Sequence, residues 1–155
     1  MQKSPTEDLV RLIRGIYLFR TFTPQEAAAV LRIAKSRKCD PRQILYEKGE
    51  SSSELFILAK GLLLVQSEKG VNLAKIGVGE SVGEIGVMTN APRSARVIAA
   101  EESYGLAIQK PELLGLLKQE KDICIKFQRN LIELLAERLR KTDQLVDTMA
   151  RDKED

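Results

Sequence analysis

The stretch GESVGEIGVMTNAPRSARV, residues 79–97, concentrates groups able to hold an anion. Gly83 and Gly86 bracket Glu84 and Ile85, a spacing that lets the backbone turn sharply and open a short helix with its amides exposed. Exposed amides at a helix start attract anions. Pro92 fixes the backbone immediately before Arg93 and biases Ala91 toward extended geometry, so Arg93 is presented from a rigid turn with Ser94 and Ala95 following it. A guanidinium and backbone amides suit a phosphate, and a nearby carboxylate suits hydroxyl donors, so a sugar phosphate would satisfy the whole set. The same residues also fit a plain surface loop closed by a salt bridge between Glu84 and Arg93.

Other chemistry is sparse. The chain has no histidine, which excludes His-based triads and zinc-peptidase motifs. Cys39 and Cys124 lie far apart without CxxC spacing, against a zinc ribbon, a thioredoxin-type motif or a secreted disulfide framework, and a reducing cytoplasm is the expected location. No nucleophile has a base beside it and no metal-ligating cluster stands out, so neither enzymatic activity nor a cofactor or metal is expected. No apolar run approaches the ~18 residues of a spanning helix, and MQKSPTEDLVRLIRG lacks the apolar stretch of a signal peptide, so no membrane association is expected. Lys and Arg total 25 against 22 Asp and Glu, a net charge of +3. Residues 118–155 carry nine basic and nine acidic side chains, a balanced solvated helix surface on which direct DNA binding is not expected. The densest basic cluster, Arg32, Lys35, Arg37, Lys38 and Arg42, reads as cations beside the carbonyls of a helix C-terminus.

The elements around residues 79–97 follow from periodicity. Leu9, Leu12, Ile13 and Ile16 recur at helical spacing after Pro5, and Thr23-Pro24-Gln25-Glu26 reads as an N-cap, a proline at the first helical position and a capping-box glutamate. From about residue 39 short β-type runs follow, namely QILYEKG, ELFILAKG, GLLLVQSEKG, VNLAKIGVG, ARVIAA and SYGLAI. Gly49, Gly61, Gly70, Gly77 and Gly79 fall at their ends, where positive φ is expected. Pro111 begins a short helix through Leu117, and a long one is expected from about Asp122 to Met149, with RDKED frayed beyond it. The expected fold is α+β and mainly β: an antiparallel β-roll or jelly roll flanked by N-terminal helices and a long C-terminal helix. One domain spans 1–155, with N-terminal helices over 1–37, the roll over 38–109 and C-terminal helices over 110–149. Ile123, Phe127, Leu131, Leu134 and Leu135 give the long helix a wide apolar face. Gln128, Ile132, Leu135, Leu139, Thr142, Val146 and Met149 then alternate by four and three, the spacing either of a helix pair in a homodimer or of one amphipathic helix packed on its own roll.

GESVGEIGVMTNAPRSARV resembles the phosphate-binding cassette of the cyclic-nucleotide-binding domain family, which sets Glu, Pro, Arg and a small residue at fixed distances; Glu84 and Arg93 stand nine apart. QILYEKGESSSELFILAKGLLLV is similar to the family's early strands, and the likeness runs over roughly residues 8–145. Val82 departs from the phenylalanine the family often has there, a change in packing rather than in polar contacts. The resemblance implies a non-enzymatic receptor for a cyclic mononucleotide, cyclic AMP or cyclic GMP, with cyclic AMP favoured. It assigns Glu84 to the ribose 2′-hydroxyl, Arg93 to the equatorial phosphate oxygen, and the amides of Gly86 and Ala95 with Ser94 to the rest of the phosphate, Gly83, Ile85 and Pro92 shaping the cassette. Ser94 could alternatively serve a guanine edge. The long helix is the implied lid, with Leu139 on the purine and Arg138 stacking on it or hydrogen-bonding it; alternatively Arg138 is merely solvated, in loose contact with Glu137 or Asp143. The sequence ends at Asp155 without a helix-turn-helix, kinase motif or channel helix. It therefore reads as a stand-alone sensor or a piece of something larger, whose output passes to a protein effector or through self-association. A ligand-independent interaction or scaffold domain is the alternative.

Overall fold

Two N-terminal helices begin with the same device. In the computed structural model, which describes residue 2 and residues 4–154, α1 (Pro5–Gly15) and α2 (Pro24–Ile33) each open with a capping box and a proline in the first turn. Ser4 and Thr23 accept from the amides of Glu7 and Glu26, whose carboxylates accept from the cap amides in return. A 3-10 turn, Tyr17–Phe19, links the helices.

Eight strands follow: β1 (Ala34–Cys39), β2 (Ile44–Tyr46), β3 (Glu54–Lys60), β4 (Leu63–Gln66), β5 (Asn72–Ile76), β6 (Ser81–Val82), β7 (Arg96–Ala99) and β8 (Ser103–Gln109). They form two antiparallel sheets, ordered β1-β8-β3-β6 and β2-β7-β4-β5. A short helix α3 (Glu84–Met88) interrupts the strands, and α4 (Lys110–Gln119) and α5 (Lys121–Glu154) end the chain. The antiparallel roll between flanking helices is the expected α+β architecture, but the fold is not mainly β: helical residues outnumber strand residues, α5 alone contributing 34.

β3 shows how one strand serves two cores. Its period of two sends Leu55 and Ile57 toward the helices, where they join Ile13, Phe19, Phe22, Val30 and Phe127, and sends Phe56 and Leu58 into the roll with Leu63, Ile76 and Val97. Burial on both faces explains why LFILA is a continuous apolar run rather than an alternating one. β8 pairs along β3 and divides in the same way, with Leu106 and Ile108 on the helix side and Ala107 inside the roll.

Several expectations need correction. α2 ends at Ile33 and β1 starts at Ala34, so the helical segment stops before residue 37. Lys35, Arg37 and Lys38 therefore lie on a strand, and only Arg32 belongs to a helix end. The alanine-rich α2 pattern runs directly into AKSRKC, whose strand form is imposed by pairing with β8 from Ala34↔Ile108 to Cys39↔Ser103. Gly49, Gly61, Gly70 and Gly79 have φ of 87°, 105°, 78° and 87°, whereas Gly77 is not in the positive-φ region. The long helix begins at Lys121 and continues through Glu154, so RDKE is helical; Asp155 lies outside the described residues.

α5 is held in its first half. Ile123, Phe127 and Leu131 are buried, and the Phe127 ring lies 5.9 Å from that of Phe19. Asn130, 1% exposed, donates through Nδ2 to the Leu18 carbonyl and to Thr21 Oγ1, both at 2.9 Å. Lys126 donates to Glu26 at 2.5 Å, and Arg20 pairs with Glu133. From Arg138 to Glu154 every residue is exposed.

Candidate functional site

Gly83 ends β6 with φ 94° and starts α3, a left-handed turn that a side chain would strain. Space forbids a side chain as well: a Cβ there would collide with Arg93 Nη1 and stand 2.8 Å from the Glu54 carbonyl oxygen. Gly86 is equally tight, since a Cβ would strike Ser52 and lie 3.2 Å from the Ala91 carbonyl oxygen. These two contacts draw the start of α3 against the β2–β3 loop and the Ala91–Pro92–Arg93 turn. That turn is pinned by its backbone, the Arg93 amide donating to the Glu50 carbonyl and its carbonyl accepting from the Gly49 amide, each at 2.8 Å.

A cavity of about 530 Å³ opens here. Gly83, Glu84, Ile85, Gly86, Pro92, Arg93, Ser94 and Ala95 line it, together with Arg138 from α5. Val65, Ala74, Ile76, Val82 and Val97 supply an apolar wall, and Ser52, Lys75, Glu80 and Ser81 add polar groups. Leu139, expected beside Arg138, is not in the lining and is 63% exposed.

The two charged residues of the cassette are both buried, Glu84 at 4% and Arg93 at 6% exposure, and they do not pair with each other. The surface-loop alternative is thereby overturned. Glu84 Oε1 pairs instead with Arg138 Nη1, while Ser81 Oγ approaches Oε2 at 3.5 Å. Arg138 is thus not merely solvated, and Glu137 pairs with Arg140. Arg93 donates through Nη2 to the Glu54 carbonyl at 2.8 Å, and its guanidinium carbon sits 3.7 Å above the Tyr46 ring centroid. Its Nε and Nη1 are buried without a hydrogen-bond partner among the described residues. A buried guanidinium with two unused donors is costly unless an anion meets it, and the cavity it lines is where one fits.

Beneath Arg93 is a second charged cluster that the sequence did not reveal. Glu54, 4% exposed, accepts from both terminal nitrogens of Arg37, from the Tyr46 hydroxyl at 2.5 Å and from Gln109 Nε2 at 2.8 Å. Burial alone would raise its carboxyl, but the donors from Arg37, Tyr46 and Gln109 hold it below the ordinary value. Burial, then the carboxylate beside it, pushes the Tyr46 phenol well up, so it stays protonated and donating. Tyr46 is not singled out within the β-type run QILYEKG.

The chain belongs to the cyclic nucleotide-binding domain family, whose model matches residues 36–120. It is 28% identical over 142 residues to the cyclic AMP receptor protein of Thermus thermophilus, covering 89% of this chain and 64% of that one. It is also 28% identical over 125 residues to glutaminase 2 of Bradyrhizobium diazoefficiens, covering 81% of this chain and 20% of the enzyme. In fold it is similar to a cyclic nucleotide-binding domain from Methylobacillus flagellatus, with TM-score 0.79 and 23% identity over 92% of this chain and 83% of that one. The chain spans between 20% and 64% of the length of these two curated relatives. Among the described residues no helix is long and apolar enough to cross a membrane.

Proposed function

We propose that this chain is a non-enzymatic receptor for a cyclic mononucleotide, with cyclic AMP its preferred ligand over cyclic GMP. The observation that carries this reading is Arg93: a 6% exposed guanidinium with two unpartnered donors, lining a cavity beside the equally buried Glu84. Arg93 answers the cyclic phosphate, and the amides of Gly86 and Ala95 with Ser94 complete its cradle. Glu84 accepts from the ribose 2′-hydroxyl, and the wall of Val65, Ala74 and Val97 takes apolar surface of the nucleotide. A cavity of about 530 Å³ suits a ligand of that size. The preference for cyclic AMP draws on the Thermus relative, which is named for that ligand.

The output runs through α5. Arg138 ties the helix to Glu84, the carboxylate that the ribose also addresses, so ligand and helix compete for or share one group. Binding repositions the distal half of α5, which brings Leu139 toward the purine and alters the surface offered to a protein effector or a second copy. Neither direct DNA binding nor membrane contact is part of this reading. The two free cysteines, Cys39 and Cys124, support a reducing cytoplasm as its location.

Thermal unfolding with a panel of cyclic nucleotides tests the receptor reading. At about 100 times Kd the bound ligand stabilises the fold by ~2.7 kcal/mol, seen as a rise in melting temperature. No shift with any cyclic nucleotide overturns the reading in favour of a ligand-independent interaction domain.

A further inference from the structure

The buried cluster under the cavity joins two opposite charges to one aromatic ring without letting them pair. The Arg93 guanidinium lies on the face of Tyr46, 3.7 Å from the ring centroid, while the Glu54 carboxylate meets the ring at its hydroxyl edge. No ion pair joins Arg93 to Glu54 among the described residues, although the Glu54 carbonyl holds Arg93 Nη2 at 2.8 Å. A carboxylate offers about four acceptor sites. Those of Glu54 are met by two nitrogens of Arg37, the Tyr46 hydroxyl and Gln109 Nε2.

We infer that Tyr46 is a positioning residue of the anion site. Its ring seats the Arg93 guanidinium and stands as an uncharged spacer that keeps it from collapsing onto Glu54, which leaves Nε and Nη1 for a ligand phosphate. The inference rests on the receptor reading above and adds to it a residue that does not line the cavity.

Three physical points carry it. Arginine has four flexible side-chain bonds, so a desolvated guanidinium needs a surface to hold its plane, and an aromatic face attracts it without consuming a donor. A carboxylate in that place would consume donors and neutralise the charge in a buried ion pair, where opposite charges attract strongly. Tyr46 is itself immobilised: it is 5% exposed, its hydroxyl is bonded to Glu54, and that carboxylate is anchored to Arg37 on β1 and Gln109 at the end of β8. Two strands and the residue that opens β3 thus fix one ring, and the ring fixes Arg93.

Calorimetry with cyclic AMP on the wild type, Tyr46→Met, Tyr46→Phe and Tyr46→Met combined with Glu54→Gln tests this, with thermal unfolding confirming that each is folded. Methionine keeps bulk but removes the π face, and affinity is expected to fall about tenfold or more. Phenylalanine, which keeps the ring, restores most of that loss. In the Glu54→Gln background, where no carboxylate awaits the guanidinium, the loss from Tyr46→Met shrinks to about threefold or less. A Tyr46→Met protein that binds as tightly as wild type, or equal losses in both backgrounds, overturns the inference while leaving the receptor reading intact. Wild type that binds neither cyclic AMP nor cyclic GMP overturns both. One further measurement does not depend on how the Tyr46 and Glu54 variants fold. The Arg93 Nε–Hε NMR signal of the wild type, identified by its disappearance in Arg93→Lys, should be displaced by the Tyr46 ring current. A signal at the position of a freely solvated arginine overturns the inference directly.

Discussion

Glu84 and Arg93 are buried side by side in one cavity yet answered by different groups, and their variants should separate accordingly. Arg93→Ala leaves a bound phosphate to amides alone, and losing a desolvated charge partner costs ~2–5 kcal/mol, about 30-fold or more in Kd. Glu84→Gln keeps an acceptor and the side-chain size, so it weakens cyclic AMP less. It also narrows the preference over the 2′-deoxy analogue, because the altered contact is the one proposed to read the 2′-hydroxyl. Calorimetry of both variants with both ligands checks the pair, and an Arg93→Ala protein with wild-type affinity would remove phosphate from this cavity. Glu54 makes a prediction about acid. Its carboxyl is held below the ordinary 4.5 in the folded protein and returns to it on unfolding. Its stabilisation is therefore complete above that value and lost as pH falls through the folded one. The stability gap between wild type and Glu54→Gln, read by chemical denaturation, should be wide at about pH 7 and narrower at about pH 3. A gap that does not change between those two values contradicts the assignment.

α5 divides into two lengths with different anchors. Up to Glu133 the helix is fixed by Phe127, Asn130 and two ion pairs, one to α2 and one to the link between α1 and α2. Beyond Glu137 the contact that reaches the roll is Arg138 to Glu84, a 47% exposed cation on a 5% exposed carboxylate. Arg138→Ala should therefore speed amide hydrogen exchange over about residues 135–145 and leave residues 123–131 protected, since local opening follows the loss of local contacts. Equal exchange in wild type and variant would show that the pair does not hold the helix. On the receptor reading proposed above, the same contact would couple α5 to ligand, because a ribose hydroxyl at Glu84 would change the partner on which the distal helix depends.

At the scale of the molecule, the distal helix carries an apolar stripe that its own roll does not cover. Leu139, Val146 and Met149 are 63%, 58% and 56% exposed. They lie on the four-three spacing of a two-helix seam. The reading in which one amphipathic helix packs on its own roll accounts for the half up to Leu134, not for this one. Self-association through α5 is therefore the expected state, and light scattering should give twice the 17.3 kDa chain mass. A monomer mass with and without ligand, up to the solubility limit, rejects it.

What the sequence determined by itself was local. Capping residues and apolar spacing located α2 and α5, glycines marked the strand ends, and residues 79–97, which carried the family resemblance, supply most of the cavity lining, because a tight turn keeps sequence neighbours together in space. What only the tertiary structure decided was pairing over long separations. AKSRKC became a strand because β8 was there to receive it. Glu84 paired with Arg138, 54 positions away, rather than with the nearer Arg93. Arg93 came to rest on Tyr46, and Glu54 gathered Arg37 and Gln109 from separate strands. Such contacts form only when distant segments are packed together, and a buried charge takes whichever partner the packing brings within reach.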